Sequence, residues 1–264
     1  MTRLSPSVTE VAPTLAPRTP WKAAFAAVYA GQIARVRVAR APLLFVATLQ
    51  SVGILLLLRG VVHASDRTTG AAVVAGSSVL VVAFVALNLL AQRFGALRST
   101  RALDYYASLP IPLPSVVLAT AASYATFTLP GALVTAAIGV GVYGLPAAHL
   151  WVAVPVAICA GVALSGVGAT LGLLMPRAEL ATVAGQLGMT VVLFLGVIPS
   201  SHFPVVARVL RDIVPSTLAV DALAQALRGS VDVVGLAWRL AVTLAMGGVT
   251  LAISARFLRR AVQQ

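Results

Sequence analysis

The chain has 264 residues, of which 59% are hydrophobic and only 10% are charged, whereas a soluble domain carries about 25% charged residues. Its one cysteine, Cys159, excludes an intramolecular disulfide and a Cys/His metal site, and its three histidines are not spaced as ligand pairs. The net charge of +12 flanks apolar segments, so we expect it to orient the chain in a membrane and to contact anionic lipid, with no nucleic acid bound.

The N-terminal segment is the first element along the chain. Residues 1–19 are rich in Pro, Thr and Ser, which predicts a disordered tail. In residues 20–40, Trp21, Phe25 and Tyr29 fall near one helical face, and basic side chains surround it. This pattern predicts an amphipathic helix in the membrane interface. The alternative is a basic flank that only sets the topology.

Long apolar runs fill the rest of the chain. There are six of them: Ala41–Leu58, Ala71–Ala91, Ser115–Val142, Leu150–Met175, Leu180–Ile198 and Gly235–Ala255. Each is close to or above the roughly 20 residues that a helix needs to cross a hydrocarbon core. Backbone groups in lipid must satisfy their own hydrogen bonds, which favours helices. The sequence therefore predicts an all-α integral membrane protein with six transmembrane helices, in which residues 20–264 form one six-span domain.

The distribution of basic residues predicts the orientation. Of the 19 basic residues, 13 fall on one side of the six alternating spans, and that side is the cytoplasm by the positive-inside rule. Both termini are then cytoplasmic. The chain has one Lys against 18 Arg and is rich in Ala and Val, a bias typical of GC-rich bacterial genomes. We therefore expect a multi-pass protein of a bacterial plasma membrane.

The segment Gln92–Pro114 between spans 2 and 3 is long for a turn. Leu97, Arg101, Asp104 and Tyr105 have helical spacing, and three prolines end the segment before span 3. A short helix held between two spans can pass force from a cytoplasmic partner to the membrane. The alternative is an ordinary solvated loop with arginines that set the topology.

The segment Pro199–Asp232 between spans 5 and 6 predicts an outer helical hairpin. Its first helix, Pro204–Val214, carries Arg208, Arg211 and Asp212 on one face. The second runs from Pro215 to Gly229, with an apolar stripe of Val220, Leu223 and Leu227 opposite a polar stripe of Asp221, Gln225 and Arg228. Both helices are too polar to span. They either dip partway into the membrane or lie flat on its outer surface.

Polar side chains within the spans are few. Gln50, Asn88 and Gln186 either line a translocation path or form hydrogen bonds between helices. No acidic residue lies at mid-membrane depth, which argues against a proton-coupled secondary transporter. Ser165 has no histidine at its depth, so we interpret it as a small packing residue and not as a hydrolase nucleophile. Small residues such as Gly161, Gly168 and Gly172 predict close helix packing within the subunit.

These features resemble the permease subunit of type-2 ABC exporters, a group that includes bacterial drug, polysaccharide and lipid exporters. The likeness rests on the basic helix before span 1, the inner helical loop and the outer re-entrant hairpin. Two runs add to it: "IVPSTLAVDALAQALRG" at Ile213–Gly229 and "LDYYASLPIP" at Leu103–Pro112. It covers nearly all of the chain from about residue 20.

The resemblance implies a division of labour between subunits. The chain has no G-x-x-x-x-G-K-[ST] phosphate loop, so it is expected to bind no cofactor and to be no enzyme, and a separate ABC ATPase on the cytoplasmic face would bind ATP and Mg²⁺. A second permease copy or a sister permease would complete a cavity that opens alternately and draws on spans 1, 2 and 5. The alternative is a secondary transporter or channel without an ATPase.

The resemblance also implies roles for particular residues. Arg98, Arg101, Asp104 and Tyr105 would contact the ATPase within the coupling loop, 92–114. Gln50, Asn88 and Gln186 would face the cavity. Arg211, Asp212, Asp221 and Arg228 would anchor the outer hairpin, 199–232. The apolar, weakly polar spans fit an amphipathic substrate, a drug or a lipid.

Overall fold

The structure, a computed structural model, describes residues 19–39, 41–61, 67–197 and 214–262, and the regular structure in these ranges is helical. The α-helices are α1 (Trp21–Ala39), α2 (Ala41–Val61), α3 (Arg67–Val82), α4 (Leu90–Ser99), α5 (Ala102–Ser108), α6 (Leu113–Tyr143), α7 (Ala153–Leu174), α8 (Ala178–Val197), α9 (Pro215–Leu227) and α10 (Val233–Val262). A π-helical segment, Ala83–Leu89, joins α3 to α4, and a 3₁₀ turn, Ala147–Val152, precedes α7.

Among the described residues, six helical segments are long and apolar enough to cross a membrane. They are Pro42–Gly60, Arg67–Ser99, Leu113–Tyr143, Ala147–Leu174, Ala178–Gly196 and Val233–Leu258. The prediction of an all-α protein with six transmembrane helices is confirmed. The second span is longer than the sequence predicted, because α3, the π-helical segment and α4 form one continuous helix of 33 residues.

Close contacts at glycines fix the directions of the spans. Gly70 packs on Tyr143 and Gly139 on Val74, so α3 and α6 are antiparallel. Gly168 packs on Leu87 and Gly172 on Ala91, so α7 runs in the same direction as α3 and α4. We call the end of the bundle that contains Ser99, Leu113, Leu174 and Ala178 the α5 end. The opposite end, which contains Tyr143, Ala147 and Val233, is the α9 end.

The core is built around the second span, whose apolar 18-residue stretch is 89% buried, whereas the corresponding stretches of α2, α8 and α10 are only 17%, 22% and 17% buried. Small residues on α7 allow the close packing that the sequence predicted. Gly161 packs on Ala125 of α6, and the Ser165 hydroxyl donates a hydrogen bond to the Ala121 carbonyl at 3.3 Å. Ser165 is fully buried in this contact, so its interpretation as a packing residue is confirmed.

Helix α1 begins directly after Pro20 and lies along the α5-end half of α6. The rings of Trp21, Phe25 and Tyr29 stack one turn apart, with centroid separations of 5.5 and 6.0 Å. The Tyr29 hydroxyl donates to the Thr126 Oγ1 at 3.1 Å, and the backbone N–H of Thr19 donates to the Pro110 carbonyl at 2.9 Å. The predicted aromatic face is therefore confirmed, and two hydrogen bonds tie α1 to the third span and the loop before it.

The expectation of one helical register from Leu97 to Tyr105 is wrong. Helix α4 ends at Ser99, Arg101 adopts a left-handed conformation with φ of 54°, and α5 starts afresh at Ala102. The physical reason is burial: Leu97 and Leu103 both pack into one apolar cluster with Phe94. In a continuous helix, side chains six residues apart would point about 120° away from each other. The break at Arg101 turns both leucines inward.

Candidate functional site

Helix α5 presents an exposed polar and aromatic surface at the α5 end of the bundle. Arg101, Asp104 and Tyr105 are exposed, and the Tyr105 ring meets that of Tyr106 edge-on at a centroid distance of 5.9 Å. Leu103 is buried on the other side, and α5 contacts α4, α6 and α10. Two of the four predicted coupling residues, Asp104 and Tyr105, thus lie on a short helix fixed to three spans, and a third, Arg101, directly precedes it. We call residues 99–108 the α5 surface.

Arg98, the fourth predicted coupling residue, is engaged within the chain. Its guanidinium donates hydrogen bonds to the backbone carbonyls of Leu173 at 2.5 Å and Met175 at 3.3 Å. The last carbonyls of a helix have no partner within the helix and carry the negative end of its dipole, so a cation is favoured there. Arg98 therefore connects the end of α4 to the end of α7, behind the α5 surface.

A groove of about 520 Å³ borders the α5 surface. It is lined by Ala107, Leu109, Pro110, Ile111, Pro112, Leu113 and Pro114. From sequence, the prolines indicated only where a helix must stop. The structure shows that they also form an apolar wall, which meets the α5 surface at Ala107. Helix α1 is tied to this wall through the Thr19–Pro110 hydrogen bond. Charged, aromatic and apolar groups thus adjoin one another, as in protein-binding surfaces.

Two of the three predicted cavity residues are in contact, between α3–α4 and α8. The buried Asn88 donates from Nδ2 to the Gln186 Oε1 at 3.3 Å, and Gln92 donates from Nε2 to the Asn88 Oδ1 at 3.1 Å. Gln186 itself is exposed on α8. Gln50 is exposed on α2, which packs mainly on α3 and α6. Asn88 and Gln186 thus join two helices, and only Gln50 and Gln186 lie on the surface.

The surfaces of α2 and α8 around these two glutamines are apolar. Phe45 and Leu57 on α2 are 67% and 68% exposed, and Leu187 and Phe194 on α8 are 62% and 57% exposed. Helix α3 lies between α2 and α8 and packs on both. Side chains of this size at this exposure face lipid or another subunit.

The π-helical segment Ala83–Leu89 packs closely on α7 and α8. Side chains added at Gly168 on α7 or Gly185 on α8 would collide with Leu87 and Asn88 of this segment. Short π-helical insertions in α-helices occur frequently at functional sites. The sequence analysis singled out Asn88 in this segment for its polarity, but no sequence pattern indicated a π-helix.

Helix α9 confirms the second helix of the predicted hairpin. It spans Pro215–Leu227, and Gly229 follows with φ of 93°, a left-handed conformation that a glycine adopts without strain. The predicted stripe of Val220, Leu223 and Leu227 is buried. On the opposite stripe, Asp221 and Gln225 are half-buried and Arg228 is exposed, and the Gln225 Oε1 accepts a 2.8 Å hydrogen bond from Arg239.

Leu223 shows how α9 packs against the spans. It lines a small cavity together with Ser78 and Val82 of α3, Ala132 of α6 and Ala157 of α7. Val220 also packs next to Gly196 of α8. The first predicted helix of the hairpin, Pro204–Val214, and with it Arg211 and Asp212, lies outside the described residues.

Tryptophans lie at both ends of the bundle, and of these the sequence analysis singled out only Trp21. Trp151 and Trp238 are 58% and 70% exposed at the α9 end, and Trp21 is 47% exposed at the α5 end. Tryptophan is enriched where membrane meets water. The two levels of indole rings therefore indicate the two boundaries of the hydrocarbon core.

Comparison with known proteins agrees with this architecture. The family model described as "ABC-2 type transporter" matches residues 24–227, which include most of α1, the first five spans and α9. No curated protein matches the chain significantly. Members of this family are membrane components that generally work with an ABC ATPase and are not themselves catalytic. The chain therefore belongs to the ABC-2 type transporter family and is a multi-pass permease component of an ABC transport system.

Proposed function

We propose that the chain is the permease of an ATP-driven exporter in a bacterial plasma membrane, and that a separate ABC ATPase binds its α5 surface. The observation that carries this proposal is the exposure of Asp104 and Tyr105 on α5, and of Arg101 directly before it, while the other side of α5 is packed on α4, α6 and α10. A partner that pushes on α5 therefore moves three spans. ATP and Mg²⁺ would be bound by the partner.

The charges at the α5 end support a cytoplasmic location for it. Arg93, Arg98, Arg101, Arg177 and Arg256 all belong to this end. Positive residues beside spans are retained in the cytoplasm. An α5 surface on that side is accessible to an ATPase that takes its ATP from the cytoplasm, and both termini then lie on the same side.

Two contacts connect the α5 surface to the membrane. Arg98 links it to the end of α7 through the Leu173 and Met175 carbonyls. In the other direction, α4 leads through the π-helical segment into α3, where Asn88 bonds to Gln186 of α8. A π-helical segment that relaxes to an α-helix changes the rotation of α4 relative to α3, because the hydrogen bonds shift by one residue. Motion of α5 would thereby rearrange α3, α7 and α8.

The exposed faces of α2 and α8 support a second subunit and a path between the two copies. These faces flank the same central helix, α3, and each carries one glutamine, Gln50 or Gln186, among large apolar side chains. A path lined in this way suits an amphipathic substrate, a drug or a lipid. The second subunit is either another copy of the chain or a sister permease.

The burial of α9 supports a re-entrant hairpin. Leu223 packs among α3, α6 and α7, at a depth well inside the ends of these spans. Backbone that enters the membrane without crossing it is tolerated where protein surrounds it. Asp221 and Arg228 would then lie at the outer rim of the path.

The test is a charge reversal on the α5 surface. We expect Arg101→Glu combined with Asp104→Lys to abolish co-purification of the ABC ATPase and to remove substrate-stimulated ATP hydrolysis, while the permease still inserts and folds. The matched control is Arg177→Glu with Glu179→Lys, a reversal of the same kind at two exposed residues of the same end. If the first variant keeps ATPase binding and transport intact, the proposal is overturned.

A further inference from the structure

An apolar groove opens between α6 and α10 at the α5 end of the bundle. It has a volume of about 400 Å³ and is lined by Pro114, Leu118, Gly248, Leu251, Ala252, Ala255 and Arg256. Small-molecule sites have volumes of about 300–1,000 Å³. The lining is apolar except for one charged side chain, Arg256, at one end.

The groove forms because α10 places small residues along one side. Gly248, Ala252 and Ala255 recur at helical spacing on this face, and Leu251 is buried beneath them. A Cβ at Gly248 would meet no atom within 4 Å. The groove is therefore open space bounded by two helices, and α10 does not need this glycine for a close helix contact there.

The depth of the groove in the membrane follows from Trp238 on the same helix. Trp238 is exposed at the α9 end, where indole rings mark the membrane boundary. Arg256 lies 18 residues further along α10, which is roughly 27 Å at about 1.5 Å per residue. A hydrocarbon core is about 30 Å thick. Arg256 thus lies at the opposite boundary, and Gly248 to Ala255 lie within the leaflet next to it.

We propose that this groove binds an anionic phospholipid of the leaflet at the α5 end, with one acyl chain against Gly248 and Ala252 and the phosphate on Arg256. The groove matches both parts of a phospholipid at the correct depth. Its apolar part lies at the level of the acyl chains, and the Arg256 guanidinium lies at the level of the headgroups. Arginine pairs with phosphate through two parallel hydrogen bonds. A net negative headgroup is favoured further by the basic residues of the same end.

The bound lipid is distinct from transported cargo. No lining residue belongs to α2 or α8, the helices proposed to face the path. A lipid held here would instead bridge α6 and α10. Its binding is therefore measurable on the purified full chain without an ATPase, so failure of this inference and failure of the proposed function are distinguishable.

The experiment is native mass spectrometry of the full chain titrated with phosphatidylglycerol or phosphatidylcholine. We expect the wild type to favour phosphatidylglycerol. Arg256→Gln should weaken the binding of phosphatidylglycerol about fivefold, which is the effect of one basic residue at an anionic surface. It should leave the binding of phosphatidylcholine unchanged. Gly248→Leu should fill the groove and weaken both lipids. The controls are Arg177→Gln, at an exposed arginine of the same end, and Gly141→Leu, at an exposed glycine with equally open space.

A phosphatidylglycerol with a photoreactive acyl chain supplies the second measurement. Adducts should map to peptides that contain Leu118 and Ala252, and Gly248→Leu should remove them. The proposal is overturned if Gly248→Leu and Arg256→Gln bind lipid like their controls. It is equally overturned if a photoreactive residue placed at position 252 cross-links to a protein segment, such as residues 1–18 or a second copy of the chain, and not to lipid.

Discussion

Arg98 at the end of α4 donates a hydrogen bond to the backbone carbonyl of Leu173 at the end of α7, at 2.5 Å. These residues are 75 positions apart in the chain. The contact holds the two helix ends together directly behind the α5 surface. The sequence analysis treated the four coupling residues as one group. The structure indicates that the exposed ones are placed to bind a partner, whereas Arg98 is placed to transmit movement to α7.

The first prediction concerns this division. Arg98→Ala removes the hydrogen bonds to Leu173 and Met175, and hydrogen bonds to charged groups contribute about 1.5–3 kcal/mol each when buried, less at a half-buried site. We expect ATPase binding to persist and ATP-driven transport to fall, because the link from α5 to α7 is lost. Co-purification and transport in proteoliposomes measure the two effects. A loss of ATPase binding larger than that of Tyr105→Ala would contradict this role.

The second prediction concerns the amide pair Asn88–Gln186. Polar contacts between membrane helices contribute about 0.6 kcal/mol on average and at most about 1.7 kcal/mol. A double-mutant cycle with Asn88→Ala and Gln186→Ala should give a coupling energy within this range, measured by unfolding in micelles. The pair Asn88→Ala and Gln50→Ala is the control and should be additive, since these residues lie on different faces. Equal coupling in the two cycles would show that no specific bond is being measured.

The third prediction concerns the glycine contacts at the π-helical segment. Gly168→Leu drives a side chain into the Leu87 carbonyl of the central span, where overpacking costs about 1–3 kcal/mol or more. We expect a lower yield of folded protein and a lower unfolding temperature. Gly141→Leu adds the same side chain where no atom lies within 4 Å and should behave like the wild type. If both variants unfold at the same temperature, the prediction that Gly168 is needed for close helix packing is wrong.

The spans and α9 were predictable because strong local physics determines them. A lipid environment requires long apolar helices. Pro215 and Gly229 mark the two ends of α9, and its apolar stripe is stabilised only when its leucines are buried against the spans. The break at Arg101 was not predictable from helical spacing, because it arises from the burial of Leu97 and Leu103 in one cluster. The Arg98–Leu173 contact and the packing of the π-helical segment involve residues from distant parts of the chain. They therefore cannot be predicted from a local sequence pattern.

The last prediction decides whether α9 enters the membrane. Cys159 is the chain's one cysteine, so a Cys159→Ala background permits single-cysteine labelling. We expect Leu223→Cys to react far more slowly with a membrane-impermeant maleimide than Arg228→Cys, because Leu223 is 1% exposed and Arg228 is exposed. An opening cost of only about 1.4 kcal/mol already slows the reaction tenfold.

Ser230→Cys is the matched control, since Ser230 is exposed just beyond the helix and should label as fast as Arg228→Cys. Labelling from the outside alone at residues 228 and 230 also places the α9 end opposite the cytoplasm. Rapid labelling of Leu223→Cys in intact cells would mean that α9 lies on the membrane surface. Because Leu223 then could not pack against Ser78 and Ala132, the re-entrant hairpin and the outer rim assigned to Asp221 and Arg228 would be lost together.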